Sequence, residues 1–289
     1  MTTSRILPPI HIHPILIIFI IISFVTGTFL QLFIILSIVL FHELGHYGAG
    51  KFFKWRIKGI MLWIFGGVMD TDEHGNRPFH EDIIVTVAGP LQHLFIYLFL
   101  FIDSLGQIQL ISTPIWDMIF LYNTLILLFN LLPIWPLDGG KLAFFILAKY
   151  SPFRKAYDRI LILSMLACIL ILIFKFVFFP FHMGVFLIIV FLLKENKEEW
   201  DKRYYVFLRF LLKRYQGDAS VQKVSPISVL PDTPLMNIFE KFYKNRKHPI
   251  YVSYSNRSRT FFDENDCLRV YFHDKQVHIK AGDLKKHLV

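Results

Sequence analysis

Charge and cysteine are both scarce in this chain. Only 18% of its 289 residues are charged, and only two are cysteines. Cys168 lies in an apolar run and Cys267 in a polar tail, so they supply neither a disulfide framework nor zinc-finger spacing. No Lys or Arg occurs between residues 6 and 50, and none between residues 78 and 140. With 54% hydrophobic residues and 31 Phe, this composition excludes a soluble enzyme, a disordered chain and a nucleic-acid binder. The first apolar segment lacks the short core and small-residue cleavage site of a signal peptide, so it is expected to be retained.

What fills the uncharged stretches is membrane-span material, which needs about 20 residues to cross a hydrocarbon core of ~30 Å. Six spans are expected, at 14–27, 30–50, 83–103, 115–135, 157–177 and 179–193. Lys51, Lys54, Arg56, Lys58 and Arg77 follow the second span; Lys141, Lys149, Arg154, Lys155 and Arg159 follow the fourth. The other short connections carry only Lys175. Ten basic residues against one put the even-numbered span ends, and both termini, in the cytoplasm. The charge is unevenly divided. Residues 1–193 hold 12 Lys+Arg against 10 Asp+Glu, whereas residues 194–289 hold 19 against 12.

Segment 59–69 is apolar but too short to cross. It reads either as an interfacial loop or as a re-entrant hairpin turning at Gly66-Gly67. Non-helical backbone enters a membrane only where protein or a water-filled cavity satisfies its polar groups.

The second span ends in Phe41-His42-Glu43-Leu44-Gly45-His46. At i, i+4 on a helix both imidazoles project from one face, with the Glu placed to act on a metal-bound water. Two His and a Glu inside a span are costly without a function, and a bound metal offsets that cost. Lys51 follows His46 by roughly 7–8 Å of helix, which puts the motif just below the cytoplasmic surface. A catalytic zinc site has three protein ligands and an open position for water. The remaining candidate ligand is Asp138, in Asn130-Leu-Leu-Pro-Ile-Trp-Pro136-Leu-Asp138-Gly139-Gly140. Taken alone, that segment reads as the turn ending the fourth span, with Gly139-Gly140 permitting an unusual backbone.

Together the two motifs resemble the intramembrane site-2 protease family of zinc metalloproteases. Glu73-His-Gly-Asn-Arg-Pro and Ala88-Gly-Pro-Leu-Gln-His93 narrow the resemblance to the sporulation proteases of endospore-forming bacilli. The resemblance implies one Zn2+ held by His42, His46 and Asp138, with Glu43 as general base and later proton donor. It implies that Asn130 holds the substrate backbone and Pro136 shapes the adjoining wall. It also implies that 59–69 is a re-entrant hairpin, making Phe65 and Met69 candidate substrate contacts by strand addition. The implied substrate is a membrane-associated sigma-factor precursor, that of sigma-K. Inhibitory membrane proteins and the mother-cell side of the outer forespore membrane are implied with it.

His93 and Gln92 are expected to hydrogen-bond between helices, and Gly89-Pro90 to allow close packing or a kink. His11 and His13 alternate in an extended pattern with a surface role. Residues 194–217 read as an amphipathic connecting helix with Trp200, Tyr204, Phe207 and Leu211 on its apolar side. Residues 218–289 read as strand 224–230, a helix after Pro234, strand 249–254 and helix 264–272. That order resembles a CBS domain, which implies ATP as a candidate regulator and self-association through pairing of single copies. Asp266 is the nucleotide candidate, although a carboxylate there repels phosphate. The fold class is thus a polytopic α-helical membrane protein of about six spans with a re-entrant hairpin and a small cytoplasmic α/β CBS domain. The competing reading is a CBS-regulated transporter or channel with an intramembrane ion site. The lack of an internal repeat, and the clustering of polar groups at one depth, weigh against it.

Overall fold

The computed structural model describes residues 8–63, 66–71, 73, 77–106, 111–217, 223–254 and 258–286. The chain forms two compact units: residues 1–74, 80–133 and 137–142, and residues 75–79, 134–136 and 143–289.

The first unit opens with strand β1 (Ile10–Ile12) and helix α1 (Pro14–Val25). Pro14 suits the first helical position because the N–H it lacks has no intrahelical partner there. His13 Nδ1 accepts the Ile15 N–H at 3.3 Å, and its ring stacks on Trp63. Helix α2 (Phe29–Phe52) carries the His-Glu motif, and β2 (Ile57–Trp63) and β3 (Gly66–Thr71) form an antiparallel hairpin. β1 pairs in parallel with the other edge of β2. Helices α3 (Phe79–Leu105) and α4 (Thr113–Asn130) follow, and α5 (Asp138–Tyr150) begins in this unit.

Among the described residues, α2, α3 and a later helix α6 (Phe153–Phe178) are long and apolar enough to cross a membrane; α1 is a shorter apolar helix. α3 shows how such a helix is patterned. Leu94, Phe95, Leu98, Phe101 and Ile102 are exposed, while Asp82, His93 and Asp103 are buried. A soluble helix does the reverse; in lipid, polar groups turn inward because hydrocarbon cannot hydrogen-bond them.

Three expectations need correction. The hairpin is present, but Trp63 pairs with Gly66, so its turn precedes Gly66-Gly67, and both glycines lie in β3. The fourth helix stops at Asn130, not 135, and Asp138-Gly139-Gly140 forms the first turn of α5 instead of a terminating turn. There is no break at residue 194. The sixth expected span and the connecting helix are one helix, α7 (Met183–Tyr215), 33 residues long. No Pro and no Gly beyond position 184 interrupts it. Lys194–Glu198, Lys197–Asp201 and Lys202–Glu198 pairs at i, i+4 span the junction.

The second unit packs α6 and α7 with the tail. The tail has a two-stranded sheet of β4 (Lys223–Val224) and β6 (Arg246–Lys247), separated from β5 (Ile227–Val229). The expected strand 224–230 is therefore two strands in two sheets. β5 pairs in parallel with β7 (Ile250–Ser253), which pairs antiparallel with β8 (Arg259–Phe262), a strand the sequence reading missed. α8 (Leu235–Phe239) is shorter than expected, whereas α9 (Glu264–Phe272) has its expected limits. Leu235, Ile238, Phe239, Ile250, Val252 and Leu268 form a fully buried core.

Arg214, near the end of α7, ties this unit together. Its guanidinium donates to the carbonyls of Tyr243, Lys244 and Arg246 and makes a bidentate pair with Glu264. His248 completes the cluster: its Nε2 accepts the Tyr243 N–H at 3.1 Å, and Nδ1 lies 3.2 Å from Glu264. The imidazole is therefore neutral, with its proton on Nδ1. Burial lowers the His248 pKa, and the Glu264 contacts only partly offset that. Burial opposes ionisation of Glu264 too, yet His248 and Arg214 outweigh it and hold the carboxyl below its usual range.

Both groups destabilise the tail in acid. The depressed His248 contributes stability that is fully present above its unfolded pKa of about 6.5 and is lost as pH falls below it. Glu264 contributes stability above about 4.3 that is lost as pH falls through its lowered folded value. Hydrogen-exchange protection of residues 246–254 and 258–272 in the full chain, corrected for the intrinsic pH dependence of amide exchange, should therefore fall between about pH 7.5 and about pH 5.5. Arg214→Ala, which leaves a buried carboxylate without its cation, should cost the tail about 3–5 kcal/mol at neutral pH. Wild-type exchange protection in that variant would show the pair to be dispensable.

Candidate metal centre

Three donor atoms converge inside the first unit. His42 Nε2 and His46 Nε2 are 3.0 Å apart, and each lies 3.1 Å from Asp138 Oδ2. The i, i+4 spacing on α2 brings the two imidazoles together, and the first residue of α5 supplies the carboxylate. All three residues are buried, at 3%, 5% and 3% relative exposure. Donors bound tetrahedrally at ~2.0–2.1 Å from a zinc ion stand about 3.3 Å from one another. The observed triangle is close to that before any ion is considered.

Glycines make room for the cluster. Gly45 faces the Ala88 carbonyl and Gln92 on α3, so a Cβ there would force α2 and α3 apart. A Cβ on Gly67 would lie 2.9 Å from Glu43 Cδ, which places the β3 backbone directly over the motif Glu. A Cβ on Gly89 would lie 2.7 Å from His42 Nε2 and closer still to His46 Nε2. Gly139 is packed against the carbonyls of Leu131 and Leu132 at the end of α4, which sets where Asp138 stands.

The hydrogen bonds around the donors fix their chemistry. His46 Nδ1 is 2.7 Å from the Val85 carbonyl, which can only accept, so Nδ1 carries the proton and Nε2 presents a lone pair. That lone pair faces a carboxylate oxygen. Two acceptors at 3.1 Å need a cation or a proton between them. Lys141 Nζ lies 3.2 Å from the other Asp138 oxygen and orients that carboxylate from outside the triangle. Glu43 Oε2 is buried and has no hydrogen-bond partner. An orphan acceptor beside convergent donors suits a metal carrying water, so the residues present fit a zinc ion.

The profile of peptidase family M50 matches residues 30–111 and 103–174. Stage IV sporulation protein FB of Bacillus subtilis is 38% identical over 276 residues, covering 95% of this chain and 95% of that protein. The chain belongs to peptidase family M50. This M50 protein is thus a zinc metalloprotease of the site-2 protease type, and family and apolar helices together make it a membrane protein. A zinc metalloprotease of Methanocaldococcus jannaschii is 27% identical over 217 residues, 74% of this chain and 61% of that one. The site-2 protease structure from the same organism matches with a TM-score of 0.54 at 23% identity, over 68% of this chain and 93% of that one, a likeness of fold.

The remaining expected site residues are placed less uniformly. The Asn130 amide donates to the Ile126 carbonyl of its own helix at 3.0 Å. Pro136 follows a cis peptide bond after Trp135, in the second unit. Met69, expected to touch substrate, is buried with Trp55 and Val85, so its side chain serves the core of the hairpin. Phe65 lies outside the described residues. Asp266 Oδ2 accepts the Asp263 N–H in the capping box of α9, a structural task at the proposed nucleotide position. Asn123, fully buried on α4 with its amide on His93, was not anticipated. An Asn at the middle of an apolar span was the available signal.

Gly89→Ala tests the packing around the donors. A methyl there invades the space beside both Nε2 atoms, so the purified variant should bind zinc at least about tenfold more weakly, with α-helix content unchanged. Wild-type zinc content at limiting free metal would show that the donors can move aside.

Proposed function

We propose that this M50 protein is an intramembrane endopeptidase in which His42, His46 and Asp138 hold one zinc ion and Glu43 is the general base. The observation that carries the reading is the buried triangle of donors at 3.0–3.1 Å beside the unpartnered Glu43 Oε2. When bound, zinc supplies Lewis acidity toward a peptide carbonyl and a water of pKa near ~7. Glu43 would serve as the general base that takes a proton from the attacking water and then as the donor that passes it to the leaving amine. Asp138, oriented by Lys141, balances cationic charge where lipid cannot. The β2–β3 hairpin lies against Glu43 through Gly67, and the β3 edge offers main-chain groups with which an extended substrate segment can pair. Asn130, Pro136 and Phe65 are proposed as neighbours of that segment.

The substrate we assign is a membrane-associated sigma-factor precursor, the sigma-K precursor. The support is 38% identity, over an alignment covering 95% of the chain, to a stage IV sporulation protein. By the same reasoning the protein acts at the outer forespore membrane under inhibitory membrane partners. The excess of basic residues in the connections after the second and fourth spans supports cytoplasmic termini. The tail is read as a CBS-like regulatory module with ATP as its ligand and pairing between two copies. Its β–α–β–β–α order around β5, β7 and β8 supports the module. Within the second unit, Asn196 of α7 donates to the Trp135 carbonyl and Arg214 of the same helix pairs with Glu264 of the tail, which supports α7 as the element that would respond to a tail ligand.

Co-expression with the sigma-K precursor tests the whole reading. Glu43→Gln should abolish cleavage, a loss of at least about a thousandfold, while zinc stays bound, because Gln cannot accept the proton. Asp138→Ala should lose zinc and cleavage together. Turnover in Glu43→Gln would mean another base, and stoichiometric zinc in Asp138→Ala would leave Asp138 without a ligand role.

A further inference from the structure

His42 and His46 face the same problem with different solutions. Each must keep its proton on Nδ1 so that Nε2 presents a lone pair. For His46 a backbone carbonyl enforces this, since the Val85 oxygen can only accept. For His42 the neighbour is another imidazole: Nδ1 lies 3.0 Å from His93 Nε2. A neutral imidazole nitrogen is either donor or acceptor, so that contact alone fixes nothing.

The next residue decides it. His93 Nδ1 is 2.7 Å from Asn123 Oδ1, while Asn123 Nδ2 donates to the His93 carbonyl at 3.2 Å. The amide therefore has its oxygen toward the ring, and His93 Nδ1 must donate to it. His93 Nε2 is then an acceptor, and His42 Nδ1 must donate. The chain of protons runs one way, from His42 to His93 to Asn123. His93 and Asn123 are both fully buried, so no solvent competes for these bonds. A helix-to-helix bridge between α3 and α4 needs only the Asn123–His93 pair. The further reach of His93 Nε2 to His42 adds nothing to that bridge.

We propose that His93 and Asn123 are positioning residues that lock the tautomer and ring orientation of His42 for metal binding. The inference rests on the reading of His42, His46 and Asp138 as zinc ligands. Outer hydrogen-bond partners of this kind change metal affinity by about 10–100-fold.

The test is zinc affinity of the purified full-length protein in detergent, measured by competition with a chromophoric chelator, alongside melting of the metal-free form. His93→Phe keeps the ring's bulk but cannot accept the His42 proton. It should weaken zinc binding about 10–100-fold while metal-free melting stays within a few degrees. His93→Gln, whose side-chain carbonyl can accept that proton, should recover most of the affinity. The visible bands of cobalt(II) substituted for zinc should shift in His93→Phe and return in His93→Gln. Wild-type affinity in His93→Phe overturns the inference, and so do equal losses in the Phe and Gln variants, which would mean packing alone. If His93→Phe fails to fold, Asn123→Leu decides: it leaves His93 free to take either tautomer and should still weaken zinc binding, whereas wild-type affinity there overturns the proposal. His42→Ala separates the two levels of the argument. Undiminished zinc in that variant defeats the metal centre and the positioning pair with it, whereas zinc lost there but held with wild-type affinity in His93→Phe defeats the positioning pair alone.

Discussion

Three lone-pair acceptors forced together away from water are the constraint on which the site depends. The His46 and His42 Nε2 atoms and an Asp138 oxygen stand 3.0–3.1 Å apart. A single proton can relieve one pair of acceptors, but the third remains opposed. A cation relieves all three at once. In a low-dielectric interior the penalty for leaving them opposed is large, so the protein's packing and the metal's charge become parts of one arrangement. The unpartnered Glu43 oxygen belongs to the same arrangement, since it too needs a donor that the described residues do not provide.

The surrounding scaffold holds that arrangement from several directions. α2 supplies two imidazoles by helical periodicity, α3 approaches closely because Gly45 and Gly89 have no side chains, and β3 lies over Glu43 at Gly67. α4 reaches the cluster through Asn123 and His93. In the second unit, polar side chains again act as anchors. Ser164 accepts the Trp135 N–H and Asn196 donates to the Trp135 carbonyl, so both main-chain groups of Trp135 are satisfied three residues before Asp138 in the chain. At the far end of α7, Arg214 spends every donor direction on Glu264 and three carbonyls. The tail is joined to α6 through the Arg154–Glu240 pair and the Phe153 N–H on the Phe242 carbonyl, and to α7 through Arg214 and Glu264.

The sequence carried the metal motif well because i, i+4 is a local rule. It also carried α9, whose Asp263 cap and apolar stripe are local signals, whereas the hairpin stood as one of two readings until the family resemblance favoured it. What it hid was contextual. Gly66-Gly67 read as a turn, but the demand on Gly67 comes from Glu43, 24 positions earlier in the chain. Gly139-Gly140 read as a helix stop, but the demand on Gly139 comes from the Leu131 carbonyl. The boundary at residue 194 followed composition, whereas the backbone had no reason to break there. Met69 was a candidate by resemblance alone, which does not say which side chains of the hairpin are covered; here it is buried beside Trp55 and Val85. His93 was visible as a polar residue in a span, yet its meaning required knowing that His42 and Asn123 lie on either side of it.

The most direct measurement of the central claim is X-ray absorption at the zinc edge on the purified, metal-loaded protein. The account predicts one zinc per chain with two imidazole nitrogens and carboxylate or water oxygens at about 2.0–2.1 Å, and no sulfur. Cys168 and Cys267 are each buried as free thiols outside this cluster. A sulfur ligand near ~2.3 Å, or a shell with fewer than two imidazoles, would contradict the assignment of His42, His46 and Asp138.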